Sequence, residues 1–475
     1  MLLPKNVVAA ILRPRVRWFS TRMALGSHKH RLVEPGVYKM IVNQAIIEGI
    51  SVIEAGQDQG ANALADVLLG YDGSDRLTVL NRLGYSVTDQ LEESGKVEGS
   101  VVVESIPVEI AGGTAQVIHT LNRDSIQKFF EQSPLMDLGE ENLDIIPMIH
   151  NPEEHRNETL KRLTDVFCVL EEAVTDGKIP SFGVVSNGLS LPSSHPLFLD
   201  WKSVVLKAAC NAAEQTSKAN SSLSAIQLPA NILETRGLLV ARDIASYIKG
   251  SSIAFLPKEL EIYAMRPLTC FPDQGTGTGR GFQLIDYLLP TEPGVTEWTQ
   301  NMNSPPPVYP ATYKKALSYF DATELLEAKQ ERELNDEEEE TLHGAKILLE
   351  LIQAIDADLE GARSFAQHEQ DLLARVVPII DGTFEEIDEE SSEVLQNFFA
   401  SVGIAARYHI ARNTRAFITK GGEGVKSYEI PPDMTMQDFA LNELLKEKAI
   451  SKIIVGATQP EHVRDTMAAF KRYDT

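Results

Sequence analysis

The residues able to do chemistry stand where apolar runs stop. Leu143–His155, LDIIPMIHNPEEH, is apolar at five of its first seven positions, breaks at Asn151-Pro152 and leaves His150 at the stop. An imidazole titrates near neutrality, so His150 can give or take a proton. The run GISVIEAG ends in the same way around Glu54, and a carboxylate at the end of a buried strand needs a partner. Arg82 is the partner expected. Further on, Ser186-Asn187, Gln227 and Gly456-Ala457 offer a hydroxyl, two amides and bare backbone N–H groups at other strand ends. Each has a structural use as well: His150 as a satisfied strand-end histidine, Ser186-Asn187 as a turn pair, Gln227 as a cap, Gly456-Ala457 as room for a packed helix.

A regular series of elements must position these groups. Strands are expected at Met23–Ser27, in GISVIEAG, at Leu77–Leu80, Leu143–His150, Phe182–Ser186, Ala225–Leu228, Glu261–Met265 and Lys452–Val455. Helical patterns lie between them, among them Ala61–Leu69, Arg123–Gln132, Leu160–Thr175, Trp201–Ser217, Leu238–Ile248, Met436–Lys446 and Glu461–Arg472. Alternation repeated about eight times predicts an α/β fold, a parallel (β/α)8 TIM barrel with helices outside. A titratable residue at the carboxyl end of such a strand reads as chemistry. The β-branched stretch Gly99–Ala115 is expected to be a hairpin. Phe271–Pro432 is too long for one connection and reads as a mostly helical insertion between strands seven and eight. Its acidic run Asn335–Glu340, NDEEEE, is expected on a solvated helix face. The expected domains are a leader over 1–22, barrel units one to seven over 23–270, the insertion over 271–432 and the last unit over 433–475.

Composition narrows the function classes. The chain has 475 residues, 43% of them hydrophobic, and a formal charge of −24. Its first 33 residues carry seven cations and no acid, which leaves the remainder near −31. That excludes nucleic acid and anionic membrane as partners of the body. Three scattered cysteines, Cys168, Cys210 and Cys270, suit neither a disulfide framework nor a zinc site. His28, His30, His150 and His155 share no ligand spacing, so no metal is expected. No apolar run is long enough to span a bilayer. The Arg-rich, acid-free start resembles a mitochondrial presequence, which predicts a matrix protein, with a plastid as the competing destination.

Several segments together resemble the aldo-keto reductase family. GISVIEAGQDQGANALADVLLG is similar to its GINFFDTAxxYGxxExxLG segment, LDIIPMIHNPEEH to its (I/L)DxxLLHNPE strand, and EEAVTDGKIPSFGVVSNG to its LExLxxxGKIRxxGVSN segment. SAIQLPANILETRG and ISKIIVGATQPEHVRD resemble its IQLPxNLLE and VIxGAxxPExVxEN motifs, in the family's order. The resemblance implies a barrel that binds NADPH at the carboxyl ends of its strands and reduces aldehydes, ketones or sugars. It places the family's catalytic aspartate on Glu54, the tyrosine on Gln59, the lysine on Arg82 and the histidine on His150.

Only the histidine is retained. An amide such as Gln59 cannot deliver a proton at neutral pH, and loss of a positioned general acid costs about 10²–10⁴-fold. Arg82 stays protonated and cannot relay one. His150 is then the expected donor, with Tyr85 a substitute. The resemblance puts the nicotinamide carboxamide against Ser186, Asn187 and Gln227, the phosphate against Gly456 and Ala457, and the usual 2′-phosphate cation on His462. NADPH and NADH are therefore both open, and Met265 lacks the aromatic ring that stacks on the nicotinamide. The expectation is an NAD(P)H-dependent oxidoreductase on a small carbonyl or sugar, with reduced or altered catalysis. The alternative is an inactive barrel serving as a cofactor-binding or interaction subunit, with the acidic insertion as a surface for a protein partner.

Overall fold

The computed structural model describes residues 22–26, 33–56, 59–69, 71, 76–89, 100–108, 113–138, 142–270, 282–285, 309–319, 321–359, 389–421, 426–431 and 434–473. The chain divides into two compact units, one of residues up to Pro267 together with Leu441 onward, the other Leu268–Ala440. The first is a closed barrel. Its strands are β1 (Met23–Gly26), β2 (Val52–Ala55), β3 (Leu77–Leu83), β7 (Leu143–His150), β8 (Phe182–Val185), β9 (Leu223–Pro229), β10 (Glu261–Met265) and β13 (Lys452–Gly456). All eight neighbouring pairs are parallel, and the ring closes where β13 pairs with β1, Met23 opposite Ile453 and Gly26 opposite Gly456.

These strands are nearly continuous apolar runs because both faces are covered. The inner face holds Ala24, Val52, Leu80, Ile146, Met148, Val185, Ala225, Tyr263, Met265 and Ile454 in one buried cluster. Side chains alternate along a strand, so Glu54, Arg82, His150 and Gln227 share that inner face, nearer the carboxyl ends. Helices α1 (Pro35–Ile47), α2 (Gln59–Leu68), α3 (Arg123–Gln132), α4 (Thr159–Thr175), α5 (Lys207–Gln215), α6 (Thr235–Gly250) and α12 (Pro460–Tyr473) belong to the outer layer. The segment expected to be one helix from Trp201 instead begins as a π-helical turn, Trp201–Leu206, capped by Asp200, before α5. Arg22, the last residue of the expected leader, is tied to the barrel: Nη1 donates to the Leu445 carbonyl at 2.6 Å and Nη2 to those of Glu447 and Ile450 at 2.9 and 2.6 Å.

The expected hairpin is a three-stranded antiparallel sheet of β4 (Tyr85–Asp89), β5 (Ser100–Val108) and β6 (Gly113–Thr120), with β6 in the middle. The extra strand is β4, which leaves β3 through Gly84 at φ +135°, a conformation that favours glycine.

In the second unit β11 (Thr269–Cys270) and β12 (Phe282–Gln283) form a short antiparallel pair. Helices α7 (Tyr309–Tyr319), α8 (Thr323–Glu331), α9 (Asp336–Leu359) and α10 (Glu389–Lys420) follow. Ile352, Ile355, Phe398, Val402 and Ala406 are among its buried core. The acidic run starts α9 as a capping box: the Glu338 N–H donates to Asn335 Oδ1 at 2.9 Å and the Asn335 N–H to Glu338 Oε2 at 3.0 Å. Carboxylates in the first turn also suit the helix dipole. Helix α11 (Met436–Leu445) leads towards β13.

Candidate active site

Three donors converge on one carboxylate oxygen inside the barrel. Glu54 is 1% exposed, and its Oε1 accepts from Arg82 Nε at 2.8 Å, Arg82 Nη2 at 2.5 Å and Gln227 Nε2 at 2.6 Å. The expected Glu54–Arg82 pair is present, and Gln227 joins it from across the barrel. A guanidinium fork suits this role because it offers two N–H groups in one plane. Gln227 Nε2 also lies 3.5 Å from Met265 Sδ, while Gln227 Oε1 is buried with no partner among the described residues. Gln59 opens α2, but its side chain lies outside the described residues.

His150 ends β7 with a half-buried side chain. Its ring meets the Tyr85 ring edge-on, centroids 5.0 Å apart. The next residue, Asn151, turns the chain with φ +46°. Tyr85 is poorly suited to deliver a proton. Burial pushes its hydroxyl well above the ordinary tyrosine range, and the group donates to Glu154 Oε1 at 3.1 Å while accepting from Asn151 Nδ2 at 2.9 Å.

The Ser186-Asn187 pair is wired to residues the sequence did not single out. Ser186 Oγ donates to Glu153 Oε2 at 2.8 Å, and the Gly188 N–H donates to Glu153 Oε1 at 2.7 Å. Burial pushes the Glu153 carboxyl up to about 7, against the pull of the Gly188 and Ser186 hydrogen bonds. A Cβ at residue 188 would stand 2.4 Å from the Leu197 carbonyl oxygen, so only glycine fits there. The Asn187 N–H donates to Asn151 Oδ1 at 3.0 Å, and Asn187 Oδ1 accepts from Arg266 Nη2 at 2.8 Å. Arg266 is itself at φ +57° and lies 3.8 Å from Glu234.

Gly456 and Ala457 precede α12, as expected. His462 does not present a cation. Its Nδ1 accepts from the Thr458 N–H at 3.4 Å, and burial lowers its pKa, so the ring is an acceptor in the first turn of α12.

Two further histidines stand behind His150. His119, on β6, is fully buried, and its Nε2 lies 2.6 Å from the His150 carbonyl oxygen. A carbonyl only accepts, so Nε2 carries the proton and Nδ1 is the acceptor of the neutral ring. His155 Nε2, 2.8 Å from that Nδ1, must then be the donor. Burial lowers both imidazoles to about 4, which keeps them neutral at physiological pH. Sequence spacing offers no sign of this pair, because the residues meet only through the inserted sheet. Among the described residues no group of three or more His, Cys, Asp or Glu could hold a metal ion, and no helix is long and apolar enough to cross a membrane.

No family model and no curated protein matches the sequence. Solved structures do. A glycerol dehydrogenase from Gluconobacter oxydans is 14% identical with a TM-score of 0.42, covering 96% of this chain and 89% of its own. An aldo-keto reductase from Bacillus halodurans, in its holo form, is 10% identical with a TM-score of 0.41, covering 94% and 86%. An aldo-keto reductase from Klebsiella pneumoniae in complex with NADPH is 15% identical with a TM-score of 0.30, covering 52% and 64%. Likenesses this remote carry no activity with them; the chain is a closed eight-stranded parallel barrel by its own strand pairing.

Proposed function

We propose that the barrel is an aldo-keto-reductase-like, NAD(P)H-dependent oxidoreductase for a small carbonyl or sugar, with reduced or altered catalysis. One observation carries the reading. Among the described residues Gln227 Oε1 is a buried acceptor with no partner, and Asn187, whose Oδ1 is taken by Arg266, keeps its Nδ2 donor for a ligand. An acceptor and a donor on neighbouring strand ends complement a primary carboxamide, so the residues present fit a nicotinamide. Ser186 adds an oxygen that can still accept. When bound, that cofactor would supply the hydride. Arg82, held by Glu54, would polarise the carbonyl, and His150 would give the proton. The loss of tyrosine at Gln59 and the engagement of the Tyr85 hydroxyl support slow turnover. With His462 held by Thr458, nothing in the first turn of α12 favours NADPH over NADH.

The second reading is a barrel that binds without turning over, and the convergence of Arg82 and Gln227 on a single Glu54 oxygen favours it. Titration of the full chain with NADPH and NADH, followed by cofactor fluorescence, separates the two. Micromolar binding that Gln227→Ala weakens supports a nicotinamide pocket. Carbonyl reduction lost in His150→Ala supports the enzyme, and binding without reduction supports the second reading. No binding of either cofactor up to millimolar concentration overturns the oxidoreductase reading and leaves the barrel as an interaction subunit. The basic, acid-free start supports delivery to the mitochondrial matrix, with a plastid as the competing destination; a fluorescent fusion of the first 22 residues tests that. The acidic helical segment within 271–432 is proposed as the surface for a protein partner.

A further inference from the structure

The inserted sheet does more than decorate the barrel. Its central strand carries His119, which is fully buried and bonded at both ring nitrogens, forward to the His150 carbonyl at 2.6 Å and back to His155 at 2.8 Å. The His119 ring also meets Tyr85 edge-on at 4.7 Å, and Tyr85 in turn meets His150 at 5.0 Å. Space has been made for this arrangement. A Cβ at Gly84 would lie 2.4 Å from His119 Nε2, and the Thr120 N–H closes onto the Gly84 carbonyl at 2.7 Å. His119 therefore reaches His150 by two routes, one through the backbone and one through an aromatic ring.

We propose that His119 is a positioning residue for His150: the sheet of β4, β5 and β6 forms part of the site and fixes the height and ring angle of the histidine at the end of β7. His155 holds His119 from behind in the tautomer that donates forward. Because a neutral imidazole has one donor and one acceptor, the chain from His155 through His119 to the carbonyl runs in one direction only. It ends on a backbone oxygen, so it orients and carries no proton to a ligand. The inference rests on the reading of His150 as the carbonyl-facing group, but it concerns the state of His150 itself and can be read without a substrate.

The experiment follows the ring nitrogens of His150 by ¹⁵N NMR against pH in the full chain, in His119→Phe and in His119→Gln. Phenylalanine keeps the ring and loses both nitrogens. Glutamine keeps an N–H near the position of Nε2. The expected result is a His150 midpoint displaced by about half a pH unit in the Phe variant, with broadened resonances, and a return to the wild-type midpoint in the Gln variant. An unchanged midpoint in the Phe variant, or no recovery in the Gln variant, overturns the inference. His155→Leu, which removes only the support behind His119, gives the same reading if the Phe variant does not fold: a displaced midpoint supports the inference and an unchanged one overturns it. NADPH titration of the same samples reports on the oxidoreductase reading separately, since failure to bind cofactor leaves the His150 measurement intact.

Discussion

Inside the barrel a carboxylate meets a guanidinium; just outside, around the end of β7, Glu153 and His119 hydrogen-bond to neutral partners. Glu54 has Arg82, while Glu153 has a serine hydroxyl and backbone N–H groups, and His119 has another histidine and a carbonyl. Where an opposite charge is at hand, burial is offset by the pair. Where the hydrogen-bonding partners are neutral, burial is the largest influence and drives the group towards its neutral form, Glu153 upward and both histidines downward. One mouth thus holds an inner ion pair and an outer clamp whose groups burial shifts towards neutrality.

The largest expected effect breaks the inner ion pair. Glu54→Gln leaves Arg82 without its anion in a largely buried setting and should lower stability by about 3 kcal/mol at neutral pH, read from urea unfolding. A loss of less than about 1 kcal/mol would mean the pair behaves like a surface contact.

The clamp should respond to pH instead. Because the folded Glu153 carboxyl sits near 7 against an ordinary 4.5, the folded state binds this proton more tightly and stability falls as pH rises across that window. Glu153→Gln can still meet Ser186 and Gly188, and it should remove the fall, gaining on the order of 2 kcal/mol at pH 8. An unchanged pH profile would show that the folded state binds the Glu153 proton no more tightly than the unfolded state does.

The two histidines act with the opposite sign. Folded values near 4 against 6.5 mean that their share of stability is present above about 6.5 and is lost as pH falls towards 4. Between about 4.5 and 6.5 the wild-type slope is a difference of opposing contributions. His119→Phe should tilt the melting-temperature profile there, and Glu153→Gln should tilt it the other way. Parallel tilts would break the comparison. The smallest effect is expected from Asn187→Ala, which removes the hydrogen bond from Arg266 Nη2 at a cost of about 1 kcal/mol and should weaken NADPH binding as well.

The barrel was legible because long apolar runs and helical periods alternate, and parallel closure follows from that alternation. Glu54 and Arg82 were legible as a pair because a carboxylate at a buried strand end demands a cation. Gln227's place beside them was not, since the contact crosses the barrel. Ser186-Asn187 stood in a readable motif, yet their partners Glu153 and Arg266 are set by turns with positive φ at Asn151 and Arg266, which residue types do not announce. His119 was least legible: it lies on a strand of an insertion, and its distance from His155 along the chain carries no periodicity.

The staple at Arg22 has a consequence for how the molecule is made. Its guanidinium holds carbonyls 423 to 428 residues later in the chain, on the approach to the strand that closes the ring. During synthesis from the amino end, seven strands and the whole of the second unit emerge before the eighth exists. The first strand must therefore wait with an open edge beside it, a long-range contact that costs loop entropy and slows assembly. An exposed strand edge held for the time of translation is a hazard for mispairing, and the pairing of β13 with β1 is what ends it.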